Sequence, residues 1–102
     1  MLIERVSQLE VGDCFDAMIL RAYHLGYKIP GDVVSGRVLR RSYGEEVVVS
    51  LDDYHSQLER RLTQTPDGIL LNGPMLVAYD VAVSKADPIP ENARVGSGLE
   101  DL

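Results

Sequence analysis

Asp13-Cys14-Phe15-Asp16-Ala17-Met18-Ile19-Leu20-Arg21-Ala22-Tyr23-His24-Leu25-Gly26 admits two readings, and the fold class turns on which is taken. Phe15, Met18, Ile19, Ala22 and Leu25 recur at the spacing of one helical face. Val11-Gly12-Asp13 reads as a turn, with Asp13 a possible cap and Asp16 three residues on, in the manner of a loose capping box. Gly26 suits a left-handed C-terminal stop, and Tyr27 supplies the hydrophobic residue that often follows one. The rival is a strand from Phe15 to Arg21. The helix is the reading adopted here, and both remain open at the level of sequence.

Downstream, Ile29-Pro30-Gly31-Asp32 is turn chemistry. A strand is expected from Val33 to Arg40, with Val34 and Val38 on one face and Val33 and Leu39 on the other. Arg41–Glu45 reads as a hairpin loop and Glu46–Val49 as the returning strand. A second helix is expected from Ser50 to Leu62. Ser50 can cap it, Asp52 and Asp53 fall in its first turn, and Arg60 and Arg61 in its last, as the helix dipole favours. Leu51, Tyr54, Leu58 and Leu62 form its apolar stripe. Thr65-Pro66-Asp67-Gly68 breaks the helix, Ile69–Leu71 is a short strand, and Asn72-Gly73 is the strongest hairpin signal in the chain.

Met75 to Ser84 is the longest expected strand. Its odd positions (Met75, Val77, Tyr79, Val81, Val83) are bulky, and its even ones (Leu76, Ala78, Asp80, Ala82, Ser84) are small and mostly apolar. A strand apolar on both sides is expected to be covered on both. The order helix, hairpin, helix, hairpin gives an α+β domain: an antiparallel sheet of about four strands with both helices on one face. The domain is expected over residues 1–85, followed by an acidic tail over 86–102.

The chain has 102 residues, 45% hydrophobic and 25% charged, the size and balance of one globular domain. Cys14 is the only cysteine, so no internal disulfide is available. No apolar run approaches the ~20 residues of a membrane-spanning helix, and the first residues lack the pattern of a secretory signal. A cytoplasmic location and no membrane association are expected. The net charge is −6, and the tail contributes four acidic residues against one arginine. Such acidity opposes binding to a polyanion, because nucleic-acid affinity comes mainly from neutralised phosphates.

Gly31-Asp32-Val33-Val34-Ser35-Gly36-Arg37-Val38-Leu39 resembles the opening strand of an S1-type oligonucleotide-binding barrel. The likeness covers nine residues. No aromatic stacking platform follows it, Phe15 is the only phenylalanine, tryptophan is absent, and a helix is expected where strands should continue. The chain is not assigned to that family.

Asp80 stands out, because a carboxylate inside an apolar strand is costly unless paired. It would serve either as a proton-transfer or ligand-anchoring group, or as a solvent-facing or arginine-paired residue, and the second reading carries more weight. His24 sits at a helix end and His55 on a polar helix face, where each has a structural explanation. With Tyr54 and Tyr79 these residues could line a pocket between helix and sheet. No metal-ligand spacing, phosphate-cradling glycine pattern or nucleophile elbow occurs, so no metal, cofactor or catalytic set is assigned. Arg37, Arg40, Arg41, Arg60 and Arg61 could gather into a basic patch, but Glu45, Glu46 and Glu59 roughly cancel them.

The function expected is therefore a small acidic binding module. It is expected to be homo-oligomeric, and to bind a protein partner or a small apolar ligand. Its interface residues would come from the even face of the last strand (Leu76, Ala78, Ala82) and from the tail (Ile89, Val95). The alternative is a small-molecule-binding domain or small enzyme with a pocket lined by His24, Tyr54, His55, Tyr79 and Asp80. Nucleic-acid binding ranks third.

Overall fold

The computed structural model describes residues 1–24, 28–52, 59–73 and 77–86, with His24 and Val77 described by backbone alone. The expected α+β architecture is not what forms. The chain is a closed antiparallel β-barrel of six strands, and among the described residues the only helical element is a 3-10 turn at Val6–Gln8. The strands are β1 (Cys14–His24), β2 (Val33–Arg41), β3 (Glu46–Leu51), β4 (Arg60–Thr65), β5 (Gly68–Asn72) and β6 (Val77–Ala86). They follow one another round the barrel in chain order, and β6 closes it by pairing with β1 along that strand's whole length.

The first expected helix falls in a strand, and so do the described ends of the second. The first is β1, which alternates inward Phe15, Ala17 and Ile19 with outward Asp16, Met18 and Leu20. A β-bulge between Ile19 and Arg21 leaves Leu20 without a register partner and resets the alternation, so that Ala22 packs against the core. The inward residues thus fall at 15, 17, 19 and 22, and three of them, Phe15, Ile19 and Ala22, have a spacing that mimics a helix. The expected second helix begins in β3, whose last residue Leu51 is buried, and ends in β4, whose Leu62 points inward. Tyr54 and Leu58 of its stripe lie outside the described residues. Asp13 caps no helix. Its carboxylate accepts the Glu10 N–H at 2.8 Å and lies 3.4 Å from the Lys85 ammonium.

The turn signals fare better. At Ile29–Asp32 the Ile29 N–H donates to the Asp32 carboxylate at 3.0 Å, and Gly31 takes φ 96°. Pro66-Asp67 forms the β4–β5 hairpin, where Thr65 faces Gly68 and their polar groups bond at 3.0 and 3.1 Å. Asn72 is a strand residue opposite Ala78, so Asn72-Gly73 is not a two-residue turn.

A six-stranded barrel has a narrow interior, since even eight strands leave only enough room for side chains. The inward positions suit that limit: Ala17, Val34, Gly36, Val38, Val47, Val49, Val81 and Val83, with the larger Phe15, Ile19, Leu62, Leu71 and Tyr79 set among them. Gly36 lies between Phe15 of β1 and Leu51 of β3 in the register. A β-carbon there would come within 2.1 Å of the Ser50 carbonyl oxygen and 3.0 Å of Phe15 Cζ. The bulge in β1 and another between Val38 and Arg40 of β2 bend the wall, as closure requires.

One end of the barrel is plugged from the N-terminus. Ile3, Val6 and Leu9 are buried in the core, and Met1 to Ile3 run beside β6, with Ile3 N–H to Val83 O at 2.9 Å and Lys85 N–H to Met1 O at 2.8 Å. The plug is pinned by polar bonds: Val6 N–H to Gln64 Oε1 at 2.8 Å, and the Arg41 guanidinium to the Leu9 carbonyl. The oligonucleotide-binding barrel, by contrast, has five strands in Greek-key order. The nine-residue likeness therefore extends to a strand and not to the topology.

Candidate functional site

Because the interior is filled by side chains, the surfaces open to a partner are the outer wall and the barrel ends. Neighbouring outward residues can be read from the register. Around β3 and β4 the wall is a belt of ion pairs. Arg40 grips Glu59 through two bonds at 2.9 and 3.1 Å. Arg61 binds Glu46 at 3.0 Å, and Thr63 Oγ1 donates to the same carboxylate at 2.9 Å. Arg5 pairs with Glu45. Val48 faces outward between Arg40 and Arg61 in the register, yet is only 1% exposed. The stems of such arginines cover apolar surface while their charged heads stay wet.

These contacts set the carboxylate affinities. The Arg40 guanidinium holds Glu59 below its ordinary pKa, and Arg5 does the same to Glu45. Burial pushes Glu46 upward, but bonds from Ser42, Thr63 and Arg61 outweigh it and leave the group lowered.

The wall on the other side, along β1 and β6, differs. Met18 lies between Val33 of β2 and Ala82 of β6 in the register, and all three face outward. Met18 is 42% exposed, Val33 59% and the bulged Leu20 51%. Ile29, 65% exposed, stands in the adjoining turn, where the Gly31 N–H donates to the Ile19 carbonyl at 2.8 Å. This is an uncharged apolar row on an acidic protein.

At its upper edge is a small polar cluster. The Tyr23 hydroxyl donates to Asp80 Oδ2 at 2.5 Å, and the Arg21 guanidinium carbon lies 4.9 Å from the centre of the Tyr23 ring. The bond to Asp80, with burial and the carboxylate's charge, raises the tyrosine pKa. Asp80 is therefore an outward, half-buried residue with a phenol partner.

Tyr79 and Asp80 do not converge. Tyr79 is buried in the core, and its hydroxyl accepts the Lys28 N–H at 3.3 Å, whereas Asp80 faces out from the next position of the same strand. The side chain of His24, and residues Tyr54 and His55, lie outside the described residues. Among the described residues the only helical element is the 3-10 turn at Val6–Gln8, which does not cover the strands of Tyr79 and Asp80 as the expected helices would. Ala78 and Ala82 lie on the outer wall, half-buried, while Leu76, Ile89 and Val95 lie outside the described residues. Sequence reading missed Met18, Leu20, Arg21 and Tyr23 as surface residues. The signal was the alternation from Phe15 to Leu20, which the bulge disguises.

A third feature is an open groove of about 660 Å³ on the outside of β1, β2 and β3, lined by Cys14, Asp16, Ser35, Arg37, Ser50 and Asp52 among others. Ser35 Oγ donates to Asp16 Oδ1 at 2.5 Å, which engages one of the two carboxylates that line the groove. Among the described residues no cluster of histidine, cysteine and carboxylate side chains could hold a metal ion. No protein-family model matches the chain, and neither a curated protein nor a solved structure shows significant similarity to it.

Proposed function

We propose that the chain is a protein-binding module, a rigid filled barrel that docks another protein surface on its β1–β6 wall. The observation that carries this reading is the outward apolar row of exposed Val33 and Met18 with half-buried Ala82, and exposed Leu20 and Ile29 beside it. Contiguous exposed apolar surface on a small protein marks an interaction site more often than chance. Among the described residues, β3 and β4 expose no large hydrophobic side chain, and Leu39 of β2, exposed beside Arg40, is a single residue. Between the expected occupants, a protein is favoured over a small apolar ligand, because the inward side chains already fill the barrel.

The test is site-directed photo-crosslinking in the cells that make the protein. A benzophenone side chain placed at Met18 should give covalent adducts, and the same group at Arg40, on the ion-paired wall, should give none. The Val33→Glu substitution should suppress the Met18 adducts. Absence of adducts at Met18, or equal capture from both positions, would overturn the reading.

A further inference from the structure

Resting on that docking reading, we propose that the partner is a second copy of this chain, seated face to face on the β1–β6 seam about a two-fold axis running along it. In such an arrangement each β1 residue meets the position that its own register partner occupies on the other copy. Met18 is paired with Ala82, Arg21 with Asp80, and Tyr23 with Ala78. Across the dimer, Met18 would thus meet the partner's Ala82, Arg21 the partner's Asp80, and Tyr23 the partner's Ala78. The outward side chains of β1 are large and those of β6 are small, and the one charged pair is of opposite sign. Every contact is repeated by symmetry, as an isologous interface requires.

The pattern also selects the axis. A two-fold lying across the seam at the same point would set Arg21 against Arg21 and Asp80 against Asp80, which like charges disfavour. The Tyr23 hydroxyl already holds the Asp80 carboxylate in place at 2.5 Å, so little ordering remains to be done on docking. The net charge of −6 opposes self-association only weakly. The proposed contacts carry Arg21 and Asp80 in balance, the outward Asp16 farther along β1 faces Ser84 and is bonded by Ser35, and salt screens charges beyond about 8 Å.

Sedimentation velocity on the full chain tests the proposal. The wild type should show a concentration-dependent dimer. Arg21→Asp and Asp80→Arg should each weaken it by on the order of 10- to 100-fold, since each sets like charges together twice. An equimolar mixture of the two variants should recover a heterodimer, in which both charge pairs are again opposite. Ala82→Arg, an outward change that closes the space offered to Met18, should leave a folded monomer by circular dichroism. This variant decides the matter should either charge reversal fail to fold. A wild type that stays monomeric at its highest soluble concentration overturns the proposal. So does a dimer indifferent to Ala82→Arg, or folded charge variants that do not recover on mixing. The docking reading fails separately: a monomer whose Met18 crosslinker captures a different protein removes the self-pairing alone, whereas no adduct of any mass removes both.

Discussion

Gly36 shows how much a single position can decide in a narrow barrel. Its hydrogen leaves room for the Phe15 ring on one side and Leu51 on the other, and the nearest obstacle to a larger side chain is the Ser50 carbonyl, which belongs to the backbone. A flexible neighbour could move aside, but a backbone carbonyl in a paired strand cannot without breaking its ladder. Gly36→Ala is therefore expected to destabilise the fold by about 2–3 kcal/mol, at the upper end for overpacking, measured by urea denaturation. A neutral effect would mean that β2 and β3 are farther apart than described. Glu46 tests the opposite wall. Glu46→Gln keeps the shape and removes the charge that Arg61 and Thr63 address, and a loss of about 1 kcal/mol is expected.

At the scale of elements, the bulge at Leu20 explains both the shape of the wall and why β1 reads as a helix. A regular strand buries every second residue, so Phe15, Ala17 and Ile19 would be followed by Arg21. The extra residue carries Arg21 outward and Ala22 inward, so that Phe15, Ile19 and Ala22 fall four and then three apart, with only the small Ala17 between them to mark the strand. That spacing matches a helical face, and only the register decides between it and the rival strand. The region from Ser50 to Leu62 misled for a different reason. Leu51 ends β3 and Leu62 lies in β4, so the two described leucines of the stripe belong to different strands, and the flanking charges part in the same way, Asp52 beside β3 and Arg60 and Arg61 in β4. By contrast, β2 was legible because Val34 and Val38 share one face and Val33, Arg37 and Leu39 lie off it. The turn at Thr65–Gly68 was legible because Pro-Asp-Gly interrupts regular structure, although the element before it read as a helix and not as the first strand of a hairpin. The surface row around Met18 was hidden by the same bulge, since a helix would bury Met18 beside Ile19. A pair of deletions checks the explanation. Removing Leu20 leaves Ile19 inside and Arg21 outside, so the barrel should fold with a loss within about 2 kcal/mol. Removing Met18 turns Ile19 to solvent, and should cost at least about 3 kcal/mol or abolish cooperative unfolding. Equal damage from both deletions would show that Leu20 is not an inserted residue.

For the molecule as a whole, the two walls divide the work. One holds charge in fixed pairs, and the other leaves apolar surface uncovered. The paired wall makes stability depend on pH in a definable direction. Glu45, Glu46, Glu59 and Asp13 all have pKa values lowered in the folded chain. A lowered folded pKa means that the unfolded chain binds protons more readily. The stabilisation is therefore complete above the unfolded carboxylate range, near pH 4 to 4.5, and is lost as pH falls through the folded values. Tyr23 acts in the reverse sense. Its pKa is raised by the bond to Asp80, so its contribution is present below the ordinary tyrosine value near 10 and is lost as pH rises through the higher folded one. The melting temperature should thus be nearly flat from about pH 6 to 9 and fall below about pH 4, with a second decline above about pH 10. Two substitutions separate the limbs. Tyr23→Phe should remove only the tyrosine share of the alkaline decline, and Glu59→Gln should shallow only the acid one. Since both changes lie on the outer wall, neither should alter the core, and the near-ultraviolet spectrum at neutral pH should change no more than the loss of one phenol requires. If Tyr23→Phe leaves the alkaline limb untouched, the hydroxyl does not hold Asp80 in solution, and the ordered carboxylate on which self-pairing relies is lost with it.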